Sequence, residues 1–140
     1  MKVSDVGISL IKSFEGCRLE AYQDSAKVWT IGYGHTSGVY KGQVISQMEA
    51  DILLRQDLTK AELAVMKYDN KYHWKQNQFD ALVSFAFNIG SINQLTAKGT
   101  RTIEQISEKI PAYRKAGGKV LPGLVRRRAA EKELFDKPWP

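Results

Sequence analysis

The stretch Arg18-Leu19-Glu20-Ala21-Tyr22-Gln23-Asp24-Ser25-Ala26-Lys27-Val28-Trp29-Thr30-Ile31-Gly32-Tyr33-Gly34-His35 decides how the rest of the chain is read. Two runs rich in aromatic and β-branched residues flank a polar turn at 23–27, the signature of a hairpin. Just before it, Val3, Val6, Leu10, Ile11 and Phe14 recur at helical spacing and Gly16 follows as a stop. That pattern predicts a helix over 3–15, with Glu15 in its last turn. Strand alternation puts Val28, Thr30, Gly32 and Gly34 on one face and Trp29, Ile31, Tyr33 and His35 on the other. The first face is glycine-lined and leaves room for a bulky ligand; the second suits a core. Closing the hairpin around Ser25-Ala26 sets Tyr22 opposite Trp29 and Ala21 opposite Thr30, a register that a slip of one residue inverts.

Working outward, Gly38 and Gly42 mark turns around a third short strand near 38–42. Ser46 and Glu49 form a capping box opening a helix over 47–67, with Ile52, Leu53, Leu58, Leu63 and Met66 as its apolar face. Residues 75–89 are apolar nearly all round, which marks a buried spine, and Asn88 and Gly90 suit its end. Shorter helices are expected at 91–96, 100–109 and 111–116, then a break at Gly117-Gly118 and a last helix over 123–135. The fold class is therefore α+β, one domain over 1–140, mostly helical with a small antiparallel sheet. A β-lobe over about 16–42 and a helical lobe (1–15 plus 46–135) meet where a cleft is expected.

With 43% hydrophobic and 26% charged residues the composition is that of a globular domain. No run approaches a membrane span. Asp5 and Lys12 interrupt any signal-peptide core, so the chain is expected to be made in a host cytoplasm. Cys17 is single and is expected to be a buried, inert thiol. Residues 98–140 hold eleven basic and five acidic residues and so carry the whole net charge of +6, which favours an anionic partner such as a wall polymer or membrane surface. No nucleic-acid motif accompanies that charge. The two His and one Cys lack zinc-ligand spacing, and no phosphate-binding loop is present, so neither metal nor cofactor is expected. His35 is read as a structural histidine paired to an Asp.

Glu15 and Asp24 sit in unlike surroundings. The carbonyls of a helix C-terminus, and burial against Phe14, both favour the protonated form of Glu15, whereas Lys27 and the turn amides favour ionised Asp24. Two carboxyls so divided can share acid and base work in breaking a glycosidic bond. The spacing Glu15-x8-Asp24-x5-Thr30, continued by Gly32-Tyr33-Gly34-His35, resembles the phage-type lysozymes of glycoside hydrolase family 24. Gln78-x2-Ala81-Leu82-x-Ser84-Phe85-x-Phe87-Asn88-x-Gly90 and Gly123-Leu124-Val125-Arg126-Arg127 extend the resemblance over roughly 4–135.

The resemblance implies hydrolysis of the β-1,4 bond between N-acetylmuramic acid and N-acetylglucosamine in peptidoglycan, by a lysozyme-like monomer. It implies Glu15 as general acid, with Asp24 and Thr30 holding the attacking water or stabilising positive charge on the sugar. Gly32, Tyr33, Asn88 and Arg126 are candidate substrate contacts. Asn88 and Gln78 also read as capping or packing residues, and of Arg126, Arg127 and Arg128 two read as a solvated basic stripe while one braces Glu15 or meets substrate. Release through a holin pore is a further implication, as is contact of the basic C-terminal segment with anionic wall polymers. The competing readings are a lytic transglycosylase and a non-catalytic cationic wall- or membrane-binding module.

Overall fold

The computed structural model describes residues 1–138, so the domain expected over 1–140 extends past them by Trp139 and Pro140. It is a mostly helical α+β chain with small antiparallel sheets. It divides into two compact units, one of Ile11–Thr59 and one of Met1–Leu10 with the residues from Lys60 onward.

In the Ile11–Thr59 unit, helix α1 (Asp5–Glu15) ends as the sequence expects: Gly16 adopts φ +69° and its N–H bonds the Lys12 carbonyl. Strands β1 (Arg18–Gln23) and β2 (Trp29–Gly32) pair antiparallel, with Tyr22 opposite Thr30 and Gln23 opposite Trp29. The expected register is thus off by one residue. Lys27 takes a left-handed φ of +63°, Asp24 N–H bonds the Val28 carbonyl, and Lys27 N–H bonds the Asp24 carbonyl. The loop therefore spans Ser25, Ala26 and Lys27, three residues ending in a left-handed one, and not the two residues that set the expected pairing. β2 also stops at Gly32. Paired Ile31–His35 backbone bonds close a tight turn over Gly32-Tyr33-Gly34, so the expected alternation does not run on to His35. The third paired segment lies at Val44 instead of 38–42: Ala21 N–H bonds Gln43 and Ile45 N–H bonds Leu19. Helix α2 (Gln47–Met66) opens with the expected reciprocal box, Glu49 N–H to Ser46 Oγ and Ser46 N–H to Glu49 Oε1. Its buried face is Ala50, Leu54, Leu58, Ala61 and Val65, whereas Ile52 and Leu63 face solvent. Small alanines carry the helical period here, so bulk alone misleads.

In the other unit, α3 (Asp69–Tyr72) precedes α4 (Gln76–Ile89), the expected spine, whose Phe79, Leu82, Val83 and Phe85 are all buried. At the start of the chain, Val6 is exposed and Gly7 takes the inward position. A Cβ on Gly7 would stand 2.9 Å from Asp80 Cβ, so this approach needs a glycine. Residues 91–96 form turns, not a helix, organised by buried Thr96, whose Oγ donates to Ile92 and accepts from Gly99 N–H. Helix α5 (Ile103–Lys109) leads through a 3-10 turn into a hairpin, β3 (Lys115–Ala116) with β4 (Lys119–Val120), where a helix over 111–116 was expected. Gly117 and Gly118, at φ +58° and +79°, form its two-residue turn. Helix α6 (Pro122–Asp136) starts with proline in its first turn, and Asn77 Nδ2 caps its far end by donating to the carbonyls of Leu134, Phe135 and Lys137.

Candidate active site

Glu15, Asp24 and Thr30 all belong to the Ile11–Thr59 unit, Glu15 at the end of α1 and the others on the hairpin that follows. Asp24 is a turn builder as well as a candidate base. Its Oδ1 accepts from Ala26 N–H at 2.8 Å and Val28 N–H at 2.9 Å, which fixes the carboxylate plane and leaves Oδ2 outside the turn's bonding. Thr30 is 4% exposed, and its hydroxyl donates to the Val28 carbonyl at 2.9 Å, so the lone pairs of Oγ1 remain available as acceptors. Glu15 is half-buried.

Gly34, which the sequence places on the glycine-lined face and in the motif, stands beside the acid. A Cβ built on it would lie 3.8 Å from Glu15 Oε1, and its φ of +89° favours glycine. A glycine inside a strand pattern is the signal that could have singled it out. Gly32 packs with its α-carbon toward Ala50 and Ile45. Tyr33 is buried, and its hydroxyl accepts from Gln47 Nε2 at 3.0 Å. Gln47 also donates to Asp51, which bonds Lys12 Nζ at 2.9 Å. That bond holds the Lys12 ammonium above its usual value and Asp51 below the usual carboxylate range. Lys12 thus ties the last turn of α1 to α2, and Tyr33 ties the turn after β2 to the same helix.

His35 is structural, as read: Nδ1 lies 2.8 Å from Asp57 Oδ2 and Nε2 donates to the Ser37 carbonyl at 2.9 Å. Cys17 departs from expectation, since it is exposed just past the Gly16 stop and does not point into the core. Among the described residues no cluster of His, Cys, Asp or Glu is arranged to hold a metal.

The remaining candidates lie in the other unit. Asn88 is exposed at the end of α4, and Gln78 caps that helix, accepting from Lys75 N–H. On α6, Arg126 is exposed, but Arg127 and Arg128 are 4% and 0% exposed, so one arginine of the three is solvated and not the expected two. Glu131, also fully buried, explains this. Its Oε2 accepts from Arg128 Nη2 at 3.0 Å, Arg127 Nε at 3.3 Å and Ser84 Oγ at 2.6 Å, and its Oε1 lies 2.6 Å from Arg128 Nε. The signal was there: Glu131 falls three and four residues after the two arginines, on one helix face.

A family model described as phage lysozyme matches residues 12–131. The chain belongs to the phage lysozyme family. The chain is 44% identical to the endolysin of Lactococcus phage c2 over 99% of its own length and 62% of that protein's, and 43% identical to the endolysin of Bacillus phage PZA over 57% of the latter. It therefore spans only about three-fifths of those relatives. Against an endolysin of Acyrthosiphon pisum secondary endosymbiont phage 1 the match is 41% over 97% of this chain and 99% of the relative. Among solved structures, the muramidase domain of SpmX from Asticaccaulis excentricus superposes with a TM-score of 0.83 at 40% identity, covering 98% of this chain and 99% of that one. The active form of the phage P1 endolysin gives 0.81 at 28% identity over 96% and 85%. No helix among the described residues is long and apolar enough to cross a membrane.

Proposed function

We infer that this protein hydrolyses the β-1,4 bond between N-acetylmuramic acid and N-acetylglucosamine in peptidoglycan, opening a bacterial wall. Glu15 gives a proton to the leaving glycosidic oxygen. Asp24 Oδ2 and Thr30 Oγ1 accept the two hydrogens of one water, which turns its lone pair toward the anomeric carbon. The observation that carries this reading is the bonding of the hairpin. Asp24 Oδ1 and the Thr30 proton are already spent on the turn, so what each has left is acceptor capacity. Gly32, Tyr33, Asn88 and Arg126 stand as candidate contacts to the sugar chain. Release from the cytoplasm through a holin pore belongs to the same reading.

Digestion of purified wall material by wild type and Glu15→Gln, followed by mass spectrometry of the fragments, tests it. Wild type should give reducing muramic ends and the variant almost none. Anhydro-muramic ends alone would instead mark a transglycosylase, and undiminished clearance by the variant a non-catalytic cationic module.

A further inference from the structure

Between Glu108 and Glu131 the chain holds seven basic residues and no acidic one. Arg127 and Arg128 turn inward to Glu131. The other five, Lys109, Arg114, Lys115, Lys119 and Arg126, are exposed, and among the described residues none has a side-chain hydrogen bond or ion pair. Arg114, Lys115 and Lys119 belong to the β3–β4 hairpin. Every residue from Arg114 to Leu121 is exposed, and nothing lies within 4 Å of a Cβ built on Gly117 or Gly118. A two-stranded hairpin that buries none of its side chains has little of its own to hold it. Yet Lys115 sits opposite Val120 and Ala116 opposite Lys119, with the ladder continued by Leu121 N–H to the Arg114 carbonyl. An exposed ribbon whose charged residues are all cationic is what an anionic polymer would meet.

We propose that this hairpin is a docking surface for the free carboxylates of the stem peptides carried by the glycan strand. The proposal rests on the peptidoglycan reading above, because the polymer to be cut carries such a peptide on its muramic units. Charge complementarity selects an anion. On the polymer this reading has the protein cut, the stem peptides present free carboxylates along the strand, and the hairpin's exposed cations complement them. The hairpin thus holds the strand by its peptides while its sugars are turned over elsewhere.

The test uses the full chain in a Glu15→Gln background, so that walls are bound without being cut. Pelleting with purified sacculi is compared for the parent, for Lys115→Glu/Lys119→Glu, and for Lys41→Glu/Lys60→Glu, an equal charge change at exposed lysines outside the hairpin. Each is run on native sacculi, sacculi stripped of teichoic acid, and sacculi whose carboxyls have been converted to amides. The hairpin pair should weaken binding to native and stripped sacculi about tenfold and the control pair no more than about twofold, with the difference gone after amidation. Equal losses for both pairs would overturn the proposal, as would a hairpin effect that follows teichoic acid removal instead of amidation. So would tighter binding of the parent, through the same lysines, to phosphatidylglycerol vesicles or duplex DNA. Walls that wild type fails to cut but that still bind through Lys115 and Lys119 would sink the hydrolase reading and leave the docking surface standing.

Discussion

Replacing Glu131 by leucine should be among the most damaging single changes outside the site. Glu131, Arg128 and Arg127 are almost completely buried, and the carboxylate is shared by both guanidiniums and Ser84 Oγ. Burial pushes the Glu131 carboxyl up, against the pull of Arg128, Ser84 and Arg127, and it pushes Arg128 down. Desolvation thus outweighs pairing, and the cluster adds little over an apolar core. Removing one member is another matter, since it strands a buried guanidinium at a cost of about 3–5 kcal/mol. For a chain of this length that corresponds to a fall in Tm of roughly 10–20 °C. Urea and thermal unfolding followed by circular dichroism measure both. Glu131→Leu with Arg128→Met should regain at least about 2 kcal/mol of the loss, because Arg127 keeps the Ser84 carbonyl as a partner. A single variant costing under about 1 kcal/mol, or a double variant no more stable than the single, would refute this.

Gly34→Ala should lose about 1–2 kcal/mol in urea unfolding for its left-handed backbone, with clearance of walls largely kept, because 3.8 Å from Glu15 is an ordinary contact. Gly34→Leu should in addition slow clearance by more than about tenfold, since its longer chain crowds the acid. Lys27→Gly, relieving φ +63° in the hairpin loop, should raise stability by about 0.5–1 kcal/mol, and a loss would mean that the loop is not the one described. Lys12 lowers Asp51, so its contribution is full above the unfolded carboxylate value of about 3.9 and is lost as pH falls through the lower folded value. Unfolding of Asp51→Asn between pH 5 and 2 should accordingly be less acid-dependent than that of wild type.

The sequence was most legible where one signal had no rival. The spine over 76–89 is apolar nearly all round, Ser46 and Glu49 cap reciprocally, and Gly16 stops α1, so each appears as read. Legibility failed where side chains make the backbone do something unusual. Lys27 in a left-handed conformation lengthens the hairpin loop by one residue and shifts the register, and sequence preference would not put lysine there. Gly117-Gly118 reads in the sequence only as a break, because the flanking strands, two residues each, are too short to show alternation. Which of Arg126, Arg127 and Arg128 turn inward is set by Glu131, one turn later and buried with Arg127 and Arg128. The candidate site was legible as residues but not as bonding: the inward donation of the Thr30 hydroxyl, and Gly34 beside Glu15, emerge only from the fold.

The division of labour between Glu15 and a water held at Asp24 and Thr30 is tested most directly by digesting purified glycan in ¹⁸O-water and weighing the new ends. Each new muramic end should be reducing and carry one heavy oxygen, with the rate falling about 10²–10⁴-fold in Glu15→Gln. Ends that carry no label, or a Glu15→Gln rate within about tenfold of wild type, would contradict it.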